Sequence, residues 1–164
     1  MKKLASRTAQ YGLIADFNPS FNEWVVDSVD GTKKTFGAAP AQATDPLEPG
    51  LNGPVANTIT FDCIPMPVGA VIFGGAVIVE TAFVGPTAAT VSLGINGNLT
   101  ALANAVDLKT AGRTALALTT PLVSNAGQNL RATVAYTVAN ATAGKVRLRI
   151  DYTIDGRTSE IQLT

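Results

Sequence analysis

The sequence contains no histidine and a single cysteine among its 164 residues. Histidine is the side chain most used for proton transfer near neutral pH and the commonest metal ligand, so its absence removes most hydrolase and transition-metal schemes. Cys63 stands in Asp62-Cys63-Ile64-Pro65 without CxxC spacing; it has no intramolecular disulfide partner and is expected to be a buried, inert thiol. Charge is scarce too: Lys, Arg, Asp and Glu make up 15% of the chain, against about 25% in an average soluble domain, so much of the surface must be neutral or covered. Twelve basic and twelve acidic residues cancel, which argues against a general nucleic-acid binder, since that needs a basic excess to displace counterions. No apolar run is long enough for a membrane-spanning helix, because the most apolar window, 68–84, is broken by Gly69, Gly74, Gly75 and Glu80. The opening Met1-Lys2-Lys3-Leu4 has the charge of a signal peptide, but the polar residues that follow give it no apolar core, and export by that route is not expected.

What is abundant is alanine (25) and threonine (20), punctuated by 15 glycines and 9 prolines, a profile that suits strands joined by turns. The charges are unevenly spread, with five acidic and no basic residues between positions 35 and 108, then seven basic and three acidic from 109 on. In an assembly, an acidic stretch of this kind can face a basic neighbour.

Two C-terminal segments alternate polar and apolar residues: Leu130, Ala132, Val134, Tyr136 and Val138 share one face of the first, and Val146, Leu148, Ile150 and Tyr152 one face of the second. Their adjacency predicts a hairpin that pairs Val138 with Val146, Tyr136 with Leu148, Val134 with Ile150 and Ala132 with Tyr152. Further strands are expected at 58–64, 69–74, 76–83, 90–95 and 113–120, with a last one at 158–163. Gly85-Pro86-Thr87 and Asn96-Gly97 supply turns, and Asp30-Gly31 joins an N-terminal hairpin of 24–29 with 32–36. Leu99 to Ala105, rich in Ala and Leu, predicts a short helix or crossover. Pro40, Pro46, Pro49 and Pro54 exclude helix and central strand from 37–55, which reads as a loop or extended segment lying on another molecule. The expected fold is all-β, a β-sandwich or jelly roll of about eight strands, with an extended N-terminal arm. Residues 1–57 make the arm, hairpin and proline-rich loop, and 58–164 the sandwich domain.

Nothing in the sequence assembles a catalytic group. Asp27 with Asp30, and Asp151 with Asp155, lie at turns whose Asp-Gly dipeptides need no further explanation; no phosphate-binding fingerprint or activated nucleophile is present. No catalytic residue, cofactor or metal is assigned, and the chain is read as a non-enzyme. The candidate sites are partner contacts. Lys2, Lys3 and Arg7 precede Tyr11, Phe17, Phe21 and Trp24, a basic and aromatic arm suited to anchoring on a partner. Arg147 and Arg149, with Lys145, project from the outer face of one strand and could dock an acidic surface, or be solvated and share charge with Asp151.

The run Ala89-Thr90-Val91-Ser92-Leu93-Gly94-Ile95, with Leu99 to Ala105 and Val106-Asp107-Leu108-Lys109-Thr110-Ala111-Gly112, resembles the capsid decoration, or cement, proteins of tailed bacteriophages. The resemblance is one of pattern and composition over residues 58–154. It implies a jelly-roll-like sandwich, without catalysis, on the outside of an icosahedral head, assembled in the host cytoplasm. There it would bind the major capsid protein and bridge neighbouring copies of it, itself a homodimer or homotrimer, with no nucleic-acid or membrane partner. The alternative is a phage fibre or carbohydrate-binding β-sandwich. Such a domain should display aromatic platforms in its loops, and 86–89 and 139–144 carry none.

Overall fold

A computed structural model describes residues 12–29, 31–38, 58–118, 122–124 and 127–154. These form eleven strands and no helix: β1 (Leu13–Phe17), β2 (Trp24–Val26), β3 (Lys33–Thr35), β4 (Thr58–Pro65), β5 (Ala70–Val84), β6 (Ala89–Ile95), β7 (Asn98–Asp107), β8 (Gly112–Ala115), β9 (Leu122–Ser124), β10 (Asn129–Tyr136) and β11 (Ala143–Ile154). One antiparallel sheet runs β1-β11-β5-β8, with β9 also on β5; a second runs β4-β10-β6-β7; β2 and β3 form a separate hairpin. The inward residues of the two sheets share one core, giving an all-β, sandwich-like fold.

Period-two alternation places the core. Leu130, Ala132, Val134 and Tyr136 of β10 are buried, as are Val146, Leu148 and Ile150 of β11. The two strands do not form the expected hairpin, however. Val134 lies opposite Ile59 and Val91 in one sheet, whereas Leu148 lies opposite Phe17 and Val77 in the other. The connection crosses the sandwich instead of turning back within a sheet. It is pinned by bonds from the Thr137 amide to the Ala88 carbonyl, Ala141 to Gly37 and Thr142 to Val84. Val138, expected inside, is on this crossover with φ +75° and is exposed.

The short helix expected at 99–105 is strand β7. Ile95 pairs with Asn98 around the Asn96-Gly97 turn, Leu93 with Ala103, and Val91 with Val106. Helix preference is worth at most a few tenths of a kcal/mol per residue for Leu and Ala, and sheet pairing outweighs it. The segments 69–74 and 76–83 are one continuous strand, β5. Of the described part of 113–120, only the beginning is strand, β8. The chain then leaves the sheet, with the Leu116 amide on the Gly75 carbonyl at 3.2 Å and the Ala117 amide on the Leu102 carbonyl at 2.9 Å, tying one sheet to the other. The strand expected at 158–163 lies outside the described residues.

Within 1–57, β1 lies on the edge of the first sheet, pairing from Leu13↔Tyr152 to Phe17↔Leu148. The expected hairpin forms as β2 and β3, with Trp24 opposite Thr35 and Gly31 at φ +70° in the turn. Behind it Phe36 is fully buried, with ring centroids 5.7 Å from Phe61 and 5.9 Å from Phe83; its carbonyl accepts the Tyr136 hydroxyl at 2.8 Å. Residues 1–11 and 39–57 lie outside the described residues.

Ile150 is fully buried while Tyr152 and Thr153 are half-buried at the strand end. Ile150→Ala should therefore cost about 2–5 kcal/mol, Tyr152→Ala less, and Thr153→Ala within about 0.5 kcal/mol. Denaturant melts of the three variants check that order; Thr153→Ala costing as much as Ile150→Ala would reverse the facing of β11.

Candidate partner-binding surface

The hairpin β2–β3 is positioned by its own turn. Asp27 is buried and its carboxylate takes the Lys34 ammonium at 2.6 Å and the Val29 amide at 2.9 Å. Ser28 donates from both amide and hydroxyl to the Thr60 carbonyl, at 2.6 and 2.9 Å. These bonds occupy part of the open edge of β4, a position that would otherwise invite pairing with another chain. With Val25 turned inward, Trp24 and Val26 face outward; Trp24 is 63% exposed. The Lys33 ammonium stands 4.9 Å from the Trp24 ring centroid, within cation-π range.

Between the hairpin and the edge strands β1 and β4 lies an open groove of about 350 Å³, lined by Phe17, Trp24, Val25, Val26, Ser28, Phe61 and Asp62. Phe17 and Phe61 belong to its walls with centroids 5.7 Å apart. A second depression of about 200 Å³ adjoins at Asp62 and is otherwise lined by Asn96, Gln128, Asn129 and Arg131. Here the Asp62 carboxylate accepts the Asn129 side-chain amide at 3.1 Å and the Arg131 Nε at 2.8 Å, and Arg131 also donates to the Asn96 side-chain carbonyl at 3.0 Å. The hydrogen bond from Asn129, aided by Arg131, holds the Asp62 carboxyl below the usual carboxylate range.

Of the residues read from the sequence as partner contacts, Lys2, Lys3, Arg7 and Tyr11 lie outside the described residues. Phe17 and Phe21 are half-buried against the core, and Trp24 is the exposed ring among the described three. On the outer face of β11, Arg147 and Lys145 both reach Glu80, Lys145 at 3.0 Å; the Lys145 hydrogen bond and then Arg147 hold the Glu80 carboxyl low. Arg149 bonds Asp151 at 3.0 Å. The cations of that strand thus stand in a mixed-charge row rather than a basic patch. Sequence reasoning missed Asp62, Asn96, Asn129 and Arg131 as a group; they meet through the pairing of β10 with β4, with its shift between Leu130 and Arg131, and of β10 with β6.

Among the described residues no group of three or more His, Cys, Asp or Glu side chains could hold a metal. Cys63 places its thiol 3.2 Å from the Leu130 carbonyl, and burial pushes its pKa up to about 12. The folded protein should therefore resist alkylation at pH 8 and yield one reactive thiol on denaturation. A thiol-reagent assay checks this, and rapid labelling of the native protein would contradict it.

No protein-family profile matches the sequence, and no curated protein is significantly similar. A solved structure is. A chain described as part of the cyanophage Pam1 capsid asymmetric unit superposes with a TM-score of 0.54 at 18% identity, over 93% of this chain and 94% of that one. At that identity the likeness is one of fold alone, to a chain of a cyanophage capsid.

Proposed function

We propose that the chain is a non-enzymatic structural protein of a bacteriophage virion, mounted on the outer surface of the capsid, where it binds neighbouring major capsid subunits and holds them together. The observation that carries this reading is the likeness of fold to a chain of a cyanophage capsid over most of both chains. The strand order supports a jelly roll. With the β2–β3 hairpin and β9 set aside, the outermost strands β1 and β11 pair, then β4 with β10, β5 with β8 and β6 with β7. A long hairpin with that nesting, rolled into two sheets, is the architecture of many capsid domains. Low overall charge fits a surface largely covered in an assembly.

The capsid contact is assigned to residues 2–11, with Tyr11 supplying apolar area and Lys2, Lys3 and Arg7 an attraction that salt weakens. Deleting residues 2–11 should leave the melting temperature unchanged and sharply reduce co-sedimentation with capsids that lack the protein. A longer deletion, of 2–20, would also remove β1 and Phe17 from the sandwich and so report on folding. Full-length protein that never joins capsids, or binding undiminished in the truncated form, overturns the assignment.

A further inference from the structure

The groove beside Trp24 is not used by this reading. We propose that it is a binding site for neutral oligosaccharides, with Trp24 as the stacking platform and the Asp62 cluster as the hydroxyl-reading half. A hexose presents an apolar C–H face and a rim of hydroxyls that each both donate and accept. The groove offers the same two halves side by side. One is apolar, with Trp24, Val26 and Phe17 over the buried ring of Phe61; the other is a set of planar polar groups, Asp62, Asn96, Asn129 and Arg131. They meet at Asp62, so a ligand lying along both would place sugar faces and hydroxyls on matching surfaces.

The electrostatics select the class of ligand. Arg131 is paired with Asp62, so the polar half has no strong net charge to attract a polyanion or a basic peptide, yet it keeps both donors and acceptors, as hydroxyl groups require. Nucleic acid would need a basic excess there. The bonds among Asp62, Asn129, Arg131 and Asn96 fix those side chains before a ligand arrives, which lowers the entropy lost on binding. A large flat ring held out at 63% exposure by a hairpin tied to both Thr60 and the core is the aromatic platform missing from loops 86–89 and 139–144. The inference stands apart from the mode of capsid attachment, which is assigned to residues 2–11.

Trp24 is the only tryptophan of the chain, so its emission reports the groove directly. The full-length protein is titrated with a panel of neutral gluco-, manno- and galacto-oligosaccharides, followed by tryptophan emission, acrylamide quenching and calorimetry. At least one saccharide is expected to shift the emission to the blue, shield the ring from quencher and release heat. Trp24→Ala should abolish the heat, and Asp62→Asn should weaken binding by about tenfold, with melting curves showing that both variants fold. No response across the panel overturns the proposal, as does saccharide binding that survives both substitutions. Loss of capsid incorporation in the two variants, without saccharide binding by the parent protein, would make the groove a protein contact. Failure of the parent protein to join capsids bears on the virion role alone.

Discussion

Gly75→Ala is expected to lower stability by about 3 kcal/mol or more, a large share of the roughly 5–15 kcal/mol that holds a domain folded. Gly75 lies in the middle of β5 opposite Ile150, with φ +144°. A Cβ there would sit 2.2 Å from the Arg149 carbonyl oxygen and 2.8 Å from the Leu116 side chain. The first contact is backbone of the neighbouring strand, which can retreat only by breaking the pairing of β5 with β11. Two costs combine, a conformation that side chains avoid and an overlap that cannot relax. Gly97→Ala separates them: Gly97 has φ +87° but nothing within 4 Å of an added Cβ, so it should cost only about 1 kcal/mol. Urea melts of the pair check the prediction. Equal losses would show that conformation alone matters, and a soluble Gly75→Ala variant within about 1 kcal/mol of the parent would refute the close approach.

Phe36→Ala should cost about 3–5 kcal/mol. The ring is fully buried between Phe61 of one sheet and Phe83 of the other. It also follows directly on β3 and fixes the hairpin to the core, so its loss should reach beyond the cavity it leaves. Amides of residues 24–35 should exchange far faster in the variant, while those of β10 and β11 should speed up only as much as the global loss of stability requires. Tyr136→Phe is the milder companion, leaving the Phe36 carbonyl without its 2.8 Å partner at a cost of about 1–3 kcal/mol. Hydrogen exchange that is uniform across the chain would mean that Phe36 supports the sandwich without specifically anchoring the hairpin.

The strands were legible because alternation reports which face of a strand is buried. It does not report which strand lies alongside. Leu130 to Tyr136 and Val146 to Ile150 show the same pattern whether they pair with one another or face each other across a core, and adjacency in sequence favoured the wrong choice. Strand β7 was hidden for another reason: Ala and Leu carry a local preference for helix, and only pairing with β6 reverses it. Trp24 was visible as an aromatic near the N-terminus, but its exposure depends on Val25 being the inward residue of a three-residue strand, too short for a period to show. The cluster around Asp62 draws on residues 62, 96, 129 and 131, far apart in the chain and joined by register alone.

The pairing of β1 with β11 sets an order of assembly. Residues 13–17 leave the ribosome well over a hundred residues before their partner, residues 143–154. Because β11 also separates β1 from β5, the first sheet cannot form its centre until β11 has emerged, whereas every strand of the second sheet is present once Tyr136 has emerged. The β4-β10-β6-β7 sheet is thus free to form first and to serve as the surface on which the other closes. Such long-range closure is slow, on the scale of about milliseconds to seconds for β-rich domains. Until β11 arrives, the edges of β1 and β5 that pair with it remain open, and nascent chains stalled at that point would be the ones most prone to associate with each other.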